Sequence, residues 1–174
     1  GDERYGAAQE ARALPENGRD EMTVGKIIAC MDEEYSRRWT NNTRPYQGIP
    51  ELLDALTNLG IKMAILSNKP QNSAQLMVSR LLPQWRFELV VGALPSVPRK
   101  PDPTAALQIA RQMNMSPLEF LYLGDSAVDM KTATAANMYP VGALWGFRTA
   151  DELLFGGAKA LIQRPSHLLR LVYE

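Results

Sequence analysis

The hydrophobic positions of this chain follow two rhythms, and the change falls near residue 45. Between Glu21 and Trp39, Val24, Ile27, Ile28, Met31, Tyr35 and Trp39 recur at near-helical spacing. They predict an amphipathic helix that turns Tyr35 and Trp39 towards a core. Residues 1 to 20 are rich in Ala, Glu and Arg and break at Leu14-Pro15-Glu16-Asn17-Gly18. The polar run Thr40-Asn41-Asn42-Thr43-Arg44-Pro45 reads as a linker.

Beyond the linker, helical faces alternate with short apolar runs. A helix is predicted over Pro50–Leu59, with Leu52, Leu53, Leu56 and Leu59 on one face and Gly60 placed to stop it. Ile61–Leu66 predicts a buried strand, Gln71–Leu82 a helix and Phe87–Val91 a second strand. Four prolines (Pro95, Pro98, Pro101, Pro103) make the next stretch an ordered loop. Thr104–Met113 is helical, and Ser116-Pro117-Leu118-Glu119 has the outline of a capping box. Phe120–Leu123 predicts a strand, Ala127–Ala136 the helix leaving it and Tyr139–Leu144 another strand. A short helix starts at Thr149, with Gly156-Gly157 as a turn, and Ala158–Ile162 and Ser166–Val172 close the chain as strand and helix. Alternation of this kind predicts an α/β fold, a mostly parallel sheet with helices on both faces.

Composition narrows the choice further. A chain of 174 residues with 45% hydrophobic and 22% charged content can bury one full core. Lys+Arg and Asp+Glu balance at 19 each, so no charge excess points to nucleic acid or a membrane surface. The apolar runs are too short to span a bilayer, and the opening residues do not read as a secretory leader. The single cysteine, Cys30, excludes an internal disulfide and fits a reducing cytoplasm, as a packed thiol.

Candidate chemistry gathers where the predicted strands end. In Phe120-Leu121-Tyr122-Leu123-Gly124-Asp125-Ser126-Ala127-Val128-Asp129-Met130, Asp125 falls at a strand's carboxyl end and Asp129 in the first turn of the next helix. Two acids there suit Mg²⁺, which takes one or two carboxylates together with phosphate oxygens. The first strand delivers Ser67 and Asn68, and the Pro-rich loop delivers Lys100. In a parallel sheet these tips share one edge, where a hydroxyl, an ammonium and carboxylates can serve a phosphoryl group with its metal ion. Each also has a plainer reading: an acidic N-cap, a turn with Asn capping a helix, a solvated lysine. His167, the only histidine, lies away from the strand tips and reads as a surface or packing residue. Trp145 lines the site entrance or serves as a structural aromatic.

Leu66-Ser67-Asn68-Lys69-Pro70, Arg99-Lys100-Pro101-Asp102-Pro103 and Gly124-Asp125-Ser126-Ala127-Val128-Asp129-Met130 resemble the second, third and fourth motifs of the haloacid dehalogenase superfamily. The likeness is greatest to its phosphoglycolate phosphatases. Thr43-Arg44-Pro45-Tyr46-Gln47-Gly48 and Leu144-Trp145-Gly146-Phe147-Arg148 support that subgroup. The resemblance implies a Rossmann-like core over residues 45–174 and part of a helical cap over 1–44. It implies that Ser67, with Asn68 beside it, binds the transferring phosphoryl group and that Lys100 stabilises an aspartyl-phosphate. Asp125 is then a direct Mg²⁺ ligand, and Asp129 orients Lys100 or a metal-bound water. The implied activity is Mg²⁺-dependent hydrolysis of a small phosphorylated metabolite, with 2-phosphoglycolate favoured.

One motif of the family is absent. Its first strand ends in Asp-x-Asp-Gly-Thr and supplies the attacking and acid–base carboxylates, whereas no Asp-x-Asp occurs in these 174 residues. In the family that strand lies mid-sheet, between the strand ending at Ser67 and the strand ending at Asp125. Its loss leaves two apolar edges with unpaired backbone groups. The expectation is therefore that residues upstream of Gly1 carry the motif. Alternatives are a variant whose gap is filled by another segment or partner, a sugar-phosphate phosphatase or phosphomutase, and a non-catalytic phosphate-binding protein.

Overall fold

The computed structural model describes residues 43–173, nearly all of them in a compact unit that runs from Pro45 to Glu174. The helix expected over 21–39, with Tyr35, Trp39 and Cys30, lies outside the described residues, as does almost all of the segment expected as a partial cap.

Eleven helices and strands follow in the expected alternation. They are α1 (Ile49–Asn58), β1 (Ala64–Pro70), α2 (Gln71–Leu81), β2 (Leu89–Ala93), α3 (Thr104–Gln112), β3 (Leu121–Gly124), α4 (Ala127–Ala135), β4 (Tyr139–Ala143), α5 (Ala150–Gly156), β5 (Ala160–Ile162) and α6 (Leu168–Val172). All described strand pairs are parallel. Side chains of β3 alternate between two cores, as the twofold period of a strand requires. Leu121 and Leu123 join Leu52, Leu56, Val141, Ile162 and Leu168 on one face, beneath α1 and α6. Phe120 and Tyr122 join Ala106, Ala110, Ala133 and Ala136 on the other, beneath α3 and α4. Helices thus cover both faces.

The first strand starts three residues later than its apolar run. The Gly60 amide donates to the Thr57 carbonyl and the Ile61 amide to that of Leu56, with Gly60 at φ 70°. This is a Schellman closure of α1, which spends the Ile61 amide on the helix and leaves the side chain exposed. The second strand is displaced towards its C-terminus, to Leu89–Ala93. There the Gln71 side chain bonds both the Val90 carbonyl (2.9 Å) and the Gly92 amide (2.6 Å). The outlined capping box is present, with Leu118 donating to the Ser116 hydroxyl and Ser116 to the Glu119 carboxylate.

The sheet itself is in two pieces: β1 pairs with β2, and β3, β4 and β5 form a separate set of three. Between them runs a cavity of about 880 Å³. Ala64, Ile65 and Leu66 of β1 line one side, and Leu121, Tyr122 and Leu123 of β3 the other. The facing edges carry backbone groups that a parallel strand would pair.

Candidate active site

The site starts from an irregularity in β1. Leu66 pairs with Val91 and Pro70 with Ala93, so four steps along β1 match two along β2. Ser67, Asn68 and Lys69 are therefore carried out of the ladder as a bulge, a device that re-aims side chains at a strand's end. Gly92 makes the bulge possible, because a Cβ there would lie 2.7 Å from the Lys69 carbonyl oxygen. Within the bulge the Lys69 amide donates to the Ser67 hydroxyl oxygen at 3.1 Å, which fixes Oγ and leaves its hydrogen available to donate.

Asn68 reaches across to the Pro-rich loop. Its Oδ1 accepts from the Lys100 amide at 2.9 Å, and its Nδ2 donates to the Lys100 carbonyl at 3.1 Å. Lys100 then turns its ammonium inward, to the Leu66 carbonyl (3.2 Å) and to Asp129 Oδ1 (2.7 Å). The Lys100 and Asp129 side chains are only 12% and 10% exposed, so this is a buried ion pair that joins the Pro-rich loop to α4, while the Leu66 carbonyl ties the same ammonium to β1.

Asp129 is held from its other side too. The Ser126 hydroxyl donates to Asp129 Oδ2 at 2.6 Å and, as the N-cap of α4, accepts from the Asp129 amide. The backbone leaves no slack here, since a Cβ on Gly124 would fall 2.6 Å from Asp129 Cγ. Asp125 is half-buried at the end of β3, and its carboxylate makes no hydrogen bond or ion pair among the described residues. Gly146 presses against it, for a Cβ there would stand 2.6 Å from Asp125 Oδ2. A carboxylate held by packing with its oxygens uncommitted fits a hard cation that completes its shell with other oxygens. No cluster of three or more acidic, His or Cys side chains occurs among the described residues.

Two further groups border the pair. Burial pushes the Tyr122 phenol well above its ordinary range, the Asp129 charge adds to this, and Thr132 opposes it. Thr132 gives its own hydroxyl hydrogen to the Val128 carbonyl, and Tyr122 Oη has no well-formed hydrogen bond among the described residues. The folded state keeps the Tyr122 proton while the unfolded chain begins to lose it at about pH 10, so this contribution to stability falls as pH rises further. Relative to Tyr122→Phe, the wild type is expected to lose up to about 1.4 kcal/mol per pH unit above pH 10 in denaturant unfolding. Parallel pH profiles for the two proteins would contradict this. In the Pro-rich loop, hydrogen bonds from Thr104, hydroxyl first and backbone amide second, hold the half-buried Asp102 carboxyl below its usual range.

Of the residues singled out by sequence, the structure links Asn68, Lys100 and Asp129 in one chain of contacts, with Ser67 and Asp125 beside its two ends. Trp145 packs against the core below, as a structural aromatic. His167 ends a short 3-10 turn, half-buried, at the opposite end of the chain's order. Sequence reasoning missed Ser126, although Ser-x-x-Asp at a helix start is a capping signal. It also missed the hydrogen bonds of Gln71 to β2 and the close approaches at Gly92 and Gly146.

Residues 8–143 match the haloacid dehalogenase-like hydrolase family. The chain belongs to that family. It is 31% identical over 160 residues to a phosphoglycolate phosphatase of Xylella fastidiosa, an alignment covering 91% of this chain and 69% of that protein. It is 30% identical over 161 residues to another from Aquifex aeolicus, covering 92% and 74%. An N-acetylmuramic acid 6-phosphate phosphatase of Pseudomonas aeruginosa is 28% identical over 138 residues, 79% of this chain and 61% of that one. Among solved structures, a protein of Lactobacillus delbrueckii subsp. bulgaricus assigned as a phosphoglycolate phosphatase superposes with a TM-score of 0.81 at 27% identity. That match covers 91% of this chain and 66% of the other. A haloacid dehalogenase-like protein of Streptococcus pneumoniae, 19% identical, shares the fold with a TM-score of 0.82 over 95% of this chain and 75% of its own. The chain thus spans about two thirds of the length of several of these relatives.

Proposed function

We propose that this chain is the substrate-phosphate and metal-binding part of a Mg²⁺-dependent phosphomonoesterase acting on a small phosphorylated metabolite, with 2-phosphoglycolate the favoured substrate. One observation carries the reading: Lys100, gripped at its backbone by Asn68 of the bulge, forms a buried ion pair with Asp129 at 2.7 Å. In this reading Ser67 donates its hydroxyl hydrogen to a phosphoryl oxygen, and the Lys100 ammonium offsets the charge of that group. Asp129 aims the Lys100 ammonium. Asp125 holds the Mg²⁺, which when bound adds positive charge beside the phosphoryl oxygens.

The attacking group is a carboxylate from outside these 174 residues, delivered by a strand seated between β1 and β3. The cavity there supports this, since residues of β1 and of β3 line its two sides and Lys100 links β1 to the helix that follows β3. A carboxylate oxygen bonds to phosphorus as the ester P–O bond breaks, the second carboxyl of the same strand protonates the departing alcohol, and that carboxylate then takes a proton from the water that cleaves the acyl-phosphate to inorganic phosphate. The substrate preference rests on the named phosphoglycolate phosphatases among the relatives. The related N-acetylmuramic acid 6-phosphate phosphatase favours a second reading, a sugar-phosphate substrate in the same site. The single cysteine of the chain supports a cytoplasmic setting. No described helix is long and apolar enough to cross a membrane.

Phosphate release by the full-length protein from a panel of phosphomonoesters, with and without Mg²⁺, tests the proposal. Release of phosphate from 2-phosphoglycolate that needs Mg²⁺ is expected. Preference for a hexose phosphate selects the second reading, and no turnover of any ester rejects both.

A further inference from the structure

The resemblance gives Asn68 a place beside the phosphoryl group, but the geometry points to a different task. We infer that Asn68 is a positioning residue, which sets the Lys100 ammonium by gripping the backbone of residue 100. The inference deepens the phosphatase reading and rests on it for the phosphate-binding arm of its test alone.

Both polar groups of the Asn68 amide are engaged by one residue 32 positions away: Oδ1 by the Lys100 amide at 2.9 Å and Nδ2 by the Lys100 carbonyl at 3.1 Å. The side chain thereby offers residue 100 the donor–acceptor pair that a neighbouring strand would offer. The loop needs an outside hold of this kind. Pro95, Pro98, Pro101 and Pro103 have no backbone N–H, which leaves this stretch few donors with which to bind itself. The far end of Lys100 is pinned as well, by Leu66 and Asp129, so the grip on the backbone fixes where the side chain starts and the ion pair fixes where it ends.

Ser67 and Asn68 thus divide the labour of the bulge. The Ser67 oxygen accepts from Lys69 and keeps its hydrogen for a ligand, whereas the Asn68 amide retains only one uncommitted hydrogen. Asp in place of Asn68 would keep the acceptor for the Lys100 amide but set an oxygen against the Lys100 carbonyl.

A double-mutant cycle on the affinity for inorganic phosphate, measured by calorimetry on the full-length protein with Mg²⁺, separates positioning from direct contact. Asn68→Ala is expected to weaken phosphate binding about tenfold in the wild-type background, the equivalent of one to two hydrogen bonds. In the Lys100→Ala background the same change should cost no more than about twofold, because the group it positions is gone. A tenfold loss in both backgrounds means that Asn68 touches the anion itself, and it overturns the inference.

Hydrogen exchange of the Lys100 amide reads the grip without any ligand. It should accelerate in Asn68→Ala and stay protected in Asn68→Asp, which keeps the acceptor. Unchanged exchange in folded Asn68→Ala also overturns the inference. Absence of phosphate binding by the wild type would remove the phosphatase reading and leave the exchange rates to decide the grip.

Discussion

Replacing Asp125 by Asn is expected to abolish Mg²⁺-dependent phosphate release by the full-length protein, a loss of at least about a thousandfold if the ion supplies several kcal/mol to the transition state. The substitution keeps the shape of the side chain, so the packing against Gly146 stays as it is. It removes only the charge, and the carboxylate makes no hydrogen bond or ion pair among the described residues that the fold would miss. Thermal stability should therefore be close to wild type while turnover disappears and extra Mg²⁺ fails to restore it. Near-normal rates would take Asp125 out of the site and count heavily against the phosphatase reading.

Asp129→Ala should show the opposite pattern, a large loss of stability together with the loss of turnover. Its carboxylate is the charged partner of an ammonium that is only 12% exposed. Removing one member of a buried pair strands the other, which costs about 3–5 kcal/mol. Lys100 would keep just the Leu66 carbonyl, and the Ser126 hydroxyl would lose the acceptor it now finds at 2.6 Å. Denaturant unfolding of Asp129→Ala checks this. The double variant Asp129→Ala/Lys100→Met should recover part of the deficit, because no uncompensated charge then remains inside. A single variant as stable as the wild type would mean that water reaches the pair freely, contrary to the burial seen here.

The two acids therefore differ in kind although they stand four residues apart. Asp125 follows the end of a strand, is pressed by Gly146 and makes no hydrogen bond or ion pair among the described residues. Asp129 is buried in the first turn of α4 and spends both oxygens on Lys100 and Ser126. Replacement of the first tests chemistry, and replacement of the second tests the scaffold that aims Lys100.

Much of this arrangement was legible in the amino-acid sequence. Alternating apolar runs and amphipathic faces located every strand and helix of the body, because each buried face needs the period of its element. The candidates Ser67, Asn68 and Asp125 were singled out by their place at predicted strand ends, and Lys100 by its place in the Pro-rich loop. Boundaries were displaced where a side chain or cap decides them: Ile61 closes α1 instead of starting β1, and Gln71 carries β2 on to Ala93. The task of Asn68 was hidden for a related reason. Its partner is a backbone 32 residues away, and neither periodicity nor composition reports a contact of that sort. Gly92 and Gly146 are likewise explained only by what would collide with them. Among the described residues the sheet is in two pieces, β1 with β2 and β3 with β4 and β5.

The central claim is that Ser67, Lys100, Asp125 and Asp129 form a receiving site for a phosphoryl group whose attacker is a carboxylate outside these 174 residues. Acid-quenched single turnover of the full-length protein with a ³²P-labelled phosphomonoester tests it most directly. The expected result is a transient, hydroxylamine-sensitive label on an aspartate that precedes Gly1, with no accumulation of label when Asp125 is replaced by Asn. Label on Ser67, or on any residue within the 174, would contradict it.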